Sequence, residues 1–191
     1  SKRAFAQHLG VSLITVEGAY QQLEAEGLVA CEENGRTRVI GISDKDIDDI
    51  YELRLILEKK AISILQNKDI MDYAPILDSL NQLKLERDKG EECAPVKMAA
   101  LGYDVHVAIM KCSGNKAIFN AWKSLSSILQ LIMEINGNYV DEEWAFNSHK
   151  TLVDAIVQKR PDLEQVIEQH MLEDSKNIYL NELQVNGAHD G

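Results

Sequence analysis

Near Gly41-Ile42-Ser43 the spacing of apolar residues changes character. Upstream, two short helical patterns are followed by a hairpin signature of β-branched residues around a polar turn. Downstream, one long helical pattern follows another, with only three prolines in the whole chain and little β-branched alternation. Such a chain is expected to be mainly α. A small module at 1–42 precedes a larger all-helical region at 43–191.

The second region opens on Ser43-Asp44-Lys45-Asp46, a capping-box sequence in which Ser43 and Asp46 exchange hydrogen bonds across the first turn. Ile47, Ile50, Tyr51, Arg54, Leu57, Glu58 and Ala61 then recur at helical spacing. Further helices are expected near 68–88, 94–112, 115–136, 141–159 and 161–183, with a turn at Ser113-Gly114-Asn115. Pro161 suits the first turn of the last of them, where its missing N–H costs little. The result is a bundle of about six helices.

In the first region, residues 2–9 form a helix carrying Ala4, Phe5 and Leu9. Gly10-Val11-Ser12 makes a tight turn, with Gly10 free to take a positive φ and Ser12 placed to cap the next helix. That helix carries Val16, Ala19, Tyr20 and Leu23 and stops at Gly27. Leu28–Cys31, a turn at Glu33-Asn34-Gly35 and Thr37–Ile40 then read as a hairpin. Helix, turn, helix and hairpin in this order make a winged helix-turn-helix.

Here the words become specific. Ser1-Lys2-Arg3-Ala4-Phe5-Ala6, Leu9-Gly10-Val11-Ser12, Thr15-Val16, Ala19-Tyr20 and Leu23-Glu24-Ala25-Glu26-Gly27-Leu28 resemble the winged helix of GntR-family transcription regulators. The resemblance implies one further helix before Ser1. It also implies Arg at the positions of Leu13 and Glu17, and a Gly-x-Gly-Thr wing where Asn34-Gly35-Arg36-Thr37 stands. A recognition helix of this kind enters the major groove, with its N-terminal residues facing base edges. Ser12 and Thr15 are placed for bases or phosphate, and Arg3, Arg36 and Arg38 for phosphate. The plainer alternative is that Ser12 is only a cap and the arginines are ordinary surface charges.

The helical region resembles the FadR-type C-terminal (FCD) domain of the same regulators over about residues 45–180. Its markers are Tyr51-Glu52-Leu53-Arg54 with Leu57-Glu58, His106 with Ser113-Gly114-Asn115, His149 with Ala155-Ile156, and His170. The resemblance implies a divalent metal held by one Asp and three His. The three His are His106, His149 and His170; the Asp position is Gly102, and Asp104 falls on another face. Three imidazoles and an open position suit Zn or Ni. The helical faces agree: His106 shares a side with Tyr103, Ile109 and Met110, His149 with Ala145, Phe146, Leu152, Val153 and Ile156, and His170 follows Leu163, Val166 and Ile167. Arg54 interrupts an apolar stripe and needs a counter-charge. Glu58, one turn on, supplies one; the carboxylate of a bound effector supplies another. Trp122 and Trp144 are expected to be packing residues.

The implied protein is a cytoplasmic homodimer that binds double-stranded operator DNA and senses a small organic acid. A metal-dependent enzyme built on the tri-histidine site and a metal-free dimerisation scaffold are the alternatives. No HExxH, nucleophile elbow or phosphate loop supports catalysis. No apolar run reaches the roughly 20 residues that span a bilayer. No signal peptide is visible, although the chain opens on Ser1, which leaves room for an earlier segment. Cys31, Cys93 and Cys112 are scattered and form no CxxC pair, as in a reducing compartment. The net charge of −11 opposes nucleic-acid binding over the whole surface. In the first 42 residues, however, Lys2, Arg3, Arg36 and Arg38 nearly balance Glu17, Glu24, Glu26, Glu32 and Glu33.

Overall fold

A computed structural model of the chain describes residues 1–32, 35–40, 43–69, 72–125, 128–130 and 141–176. Two compact units divide at Asp46 and Ile47, a few residues inside the first long helix rather than at residue 42.

In the first unit, α1 (Lys2–Leu9) is capped by the Ser1 hydroxyl, which accepts from the amide of Ala4. It ends at Gly10, whose φ of 67° is the left-handed conformation that a Cβ disfavours. The second helix, α2 (Leu13–Ala25), starts on a Ser12 cap. It terminates through Gly27 at φ 75°, with the Leu28 amide returning to the Leu23 carbonyl. Strands β1 (Val29–Cys31) and β2 (Thr37–Val39) pair antiparallel, with Val29 opposite Val39 and Cys31 opposite Thr37. The expected hairpin is present; Glu33 and Asn34 of its turn lie outside the described residues. Ala6, Val16 and Val29 are the buried apolar residues that join helix, helix and wing.

The second unit is helical. α3 (Asp44–Gln66) begins with the capping box: the Ser43 amide donates to Asp46 Oδ2 at 2.9 Å, and the Asp46 amide to Ser43 Oγ at 3.2 Å. α4 (Ala74–Arg87) starts later than residue 68, because Pro75 belongs in a first turn and Asp72 accepts from the Ala74 amide there. A 3-10 turn at Gly90–Glu92 leads into α5 (Pro95–Cys112). The next helix, α6 (Lys116–Lys123), is capped by Asn115, whose side-chain oxygen accepts from the amides of Ala117 and Ile118. The expected continuation to residue 136 is described only through 130, with 128–130 helical. α7 (Glu142–Val157) follows an Asp141 cap. The last helix, α8 (Leu163–Glu168), widens into a π-helical run at Gln169–Lys176, and the rest of the span expected to 183 lies outside the described residues.

α5 packs against α4 and α7, α4 also packs against α7, and α7 packs against α8. Ala61, Tyr103, Met110, Trp122 and Leu129 form a core cluster, in which the Tyr103 and Trp122 rings stack with centroids 5.3 Å apart. Trp122 is fully buried, as expected, whereas Trp144 is 38% exposed and does not fill the core. Its position in the first turn of α7, beside the Asp141 cap, turns it towards solvent.

Candidate metal centre and nucleic-acid face

His106 lies on the inward face of α5, His149 on α7, and His170 at the start of the π-helical run. The bundle brings the three rings together, with centroids 4.7 to 5.4 Å apart. One ring nitrogen from each lies within 4.8 Å of the other two. His106 and His170 are buried, and His149 is partly so.

Each ring is held from behind. His106 Nδ1 lies 2.7 Å from Glu58 Oε2, His149 Nδ1 2.8 Å from the Ala145 carbonyl, and His170 Nδ1 2.7 Å from Ser148 Oγ. The Nε2 atoms therefore remain for the centre, and those of His106 and His170 are 3.1 Å apart. Nitrogens about 2.0–2.1 Å from one metal ion stand roughly 3–3.4 Å from each other. One pair already has that spacing. A carboxylate and a carbonyl accept only, so His106 and His149 carry their protons on Nδ1 and present lone pairs on Nε2.

Electrostatics favour the same neutral form. Burial pushes the His106 pKa down, and nearby Arg54 adds to this against the opposing pull of Glu58. Burial, then His106 and Arg54, push His149 down to about 3. Burial, the other two imidazoles and Arg54 lower His170 well below its usual value. Burial alone would raise the Glu58 pKa; His106 and Arg54 override it and hold the carboxyl ionised.

Glu58 is the hub behind the rings. Its Oε1 accepts from Arg54 Nε at 2.8 Å and from Trp122 Nε1 at 3.0 Å. Of the two partners anticipated for Arg54, Glu58 is the one observed. Nε takes Glu58, while the buried Nη1 and Nη2 have no acceptor among the described residues. A fully buried guanidinium with unmatched donor nitrogens has hydrogen-bonding capacity of the kind that suits an anion. Gly102 is buried on α5 against the His149 ring, and Asp104 is exposed, so neither adds a carboxylate to the cluster. Sequence reasoning did not find Ser148, Trp122 or the Ala145 carbonyl. Their partners are distant in sequence or on the backbone, and residue type gives no sign of either.

In the first unit, Ser12 Oγ accepts from the Thr15 amide at 3.1 Å and lies 2.8 Å from Thr15 Oγ1. The cap role is thus present, and both hydroxyls stay exposed at the N-terminal end of α2. Arg3, Arg36 and Arg38 are exposed, and Arg38 Nε stands 3.9 Å from Glu32 Oε1. Ile14, 80% exposed beside Thr15, was not anticipated. An apolar side chain at a recognition-helix N-terminus is of the kind that meets a thymine methyl.

The FCD domain family matches residues 49–173. The chain is 25% identical over 158 residues to the "Probable D-xylose utilization operon transcriptional repressor" of Paenarthrobacter nicotinovorans, covering 83% of this chain and 69% of that one. It is 21% identical over 169 residues to the gluconate operon transcriptional repressor of Bacillus licheniformis, covering 85% and 68%. The solved structure of E. coli McbR/YncC superposes with a TM-score of 0.75 at 16% identity, over 95% of this chain and 86% of that one. No described helix is long and apolar enough to cross a membrane. With a winged helix ahead of this helical domain, the chain belongs to the FCD-domain branch of the GntR family of transcription regulators.

Proposed function

We infer that this regulator senses a small carboxylate through a divalent metal held by His106, His149 and His170, and passes occupancy to DNA binding. The observation that carries the reading is the convergence of three buried or part-buried imidazoles, each anchored at Nδ1, in the same interior as an Arg54 guanidinium with two unmatched nitrogens. The donor set suits Zn or Ni. Arg54 would grip the carboxylate and the metal would take one of its oxygens. The naming of one relative for a gluconate operon is in keeping with an acid effector. Hydrolytic chemistry would need a general base at the metal. Glu58, the carboxylate that touches the imidazoles, is committed to Arg54, Trp122 and His106.

DNA binding is assigned to α2 and the wing, with Ser12 and Thr15 at the groove and Arg3, Arg36 and Arg38 on phosphates. A homodimer would place two recognition helices on a pseudo-palindromic site. Selection from random duplexes at moderate salt, using the natural full-length protein, tests the DNA half. The expected product is an inverted repeat whose affinity falls with salt, and less steeply after Arg3→Ala. Recovery of no shared sequence would overturn it. Elemental analysis after reconstitution tests the sensor half: about one Zn or Ni per chain, most of it lost in His106→Ala. No bound metal would overturn that half.

A further inference from the structure

Gly102 sits in the middle of α5, where glycine costs about 1 kcal/mol relative to alanine. Its neighbour explains its presence. A Cβ built there would lie 3.0 Å from both Cε1 and Nε2 of His149. The imidazole occupies the space that any side chain at this position would need, so the residue that admits His149 brings no donor of its own.

The consequence is a matter of charge. The gathered donors are three neutral imidazoles, and among the described residues no carboxylate joins them. Glu58, the carboxylate behind His106, already accepts from Arg54, Trp122 and His106 and is balanced by Arg54. A dication entering this interior would therefore face no uncommitted negative group among the described residues. Buried charge without a counter-charge is costly, and the positive Arg54 beside the rings adds to that cost.

We propose that Gly102 leaves the metal centre one anionic donor short, so that a divalent metal and a small carboxylate bind as a pair, each tightening the other. The proposal rests on the tri-histidine reading and adds a thermodynamic requirement to it. A centre with its own carboxylate would keep its metal whether or not ligand was present. This one takes up metal in proportion to both, and the Arg54 nitrogens without acceptors give the anion its second hold.

The test is calorimetric. Full-length protein stripped with chelator is titrated with Ni2+ in Hepes, with sodium perchlorate as the only salt and then with sodium acetate added, correcting for nickel acetate formation. Acetate should raise nickel affinity by about tenfold or more, and nickel should raise acetate affinity by the same factor. Gly102→Asp should bind nickel more tightly than Gly102→Ala without acetate, and acetate should then change its affinity by less than about twofold. Gly102→Ala controls for pressure on the His149 ring: it should weaken nickel binding and keep the acetate effect. Equal nickel affinity with and without acetate in the natural protein would overturn the pairing and leave the metal site standing. No nickel binding under either condition would overturn both. The comparison within the natural protein decides even if Gly102→Asp fails to fold.

Discussion

His170 has two neighbours that demand different things of it. Its Nε2 lies 3.1 Å from His106 Nε2, whose proton is on the other side of that ring, facing Glu58. Without metal, His170 must therefore donate from Nε2, and its Nδ1 accepts from the Ser148 hydroxyl. A metal would need the Nε2 lone pair, so loading would move the proton to Nδ1 and reverse the bond to Ser148. The hydroxyl can do either, which a fixed donor or acceptor could not. Ser148→Ala should lower metal affinity about tenfold to a hundredfold. In the natural protein, the 15N shifts of the His170 ring should exchange identities on Zn loading. Unchanged shifts, or full metal affinity in Ser148→Ala, would refute the swap. The three histidines were legible because each follows an apolar helical face, and Arg54 because a charge interrupted one. Ser148 was not. It meets His170 only because α7 and the terminal helix pack together, and that contact is set by the fold.

Caps were the most legible part of the elements. Ser12 and Ser43 with Asp46, read as caps, sit at helix starts with side-chain oxygens on free amides, and Asn115, read only as part of a turn, does the same. Asn115 accepts from two, at 3.1 Å each, so Asn115→Ala should cost about 1 kcal/mol. Urea denaturation should show a lower midpoint with an unchanged slope; no shift would mean that α6 draws nothing from its cap. The π-helical run was not legible. Buried Leu163, Ile167, His170 and Met171 keep the spacing of an ordinary α-helix, so periodicity gives no sign of the wider turn. The late start of α4 was legible in principle, since Pro75 marks a first turn.

Across the whole molecule, stability should follow the imidazoles. Their folded-state pKa values lie below the ordinary value of 6.5, that of His149 at about 3. As pH falls below about 6.5 the unfolded chain takes up protons that the folded bundle refuses. Metal-free protein should therefore lose stability from about pH 6.5 downward, with a slope approaching 1.4 kcal/mol per pH unit for each buried histidine. Ionised Glu58 adds a loss of the same sign below its ordinary value of 4.5. Denaturation of metal-free protein between pH 5 and 7 checks this, and a flat profile would mean that the rings are not held neutral. The fold class followed from periodicity and the family's words, and the missing carboxylate from Gly102 in the sequence, whereas the contact between Gly102 and the His149 ring is one that only packing reveals. The donors also come from α5, α7 and the terminal helix, in that order along the chain. A ribosome delivers the winged helix first and His170 long afterwards. Each newly made molecule thus passes through an interval in which the winged helix has been delivered while the histidine cluster still lacks its last ring, so metal capture at that cluster would belong to the end of its maturation.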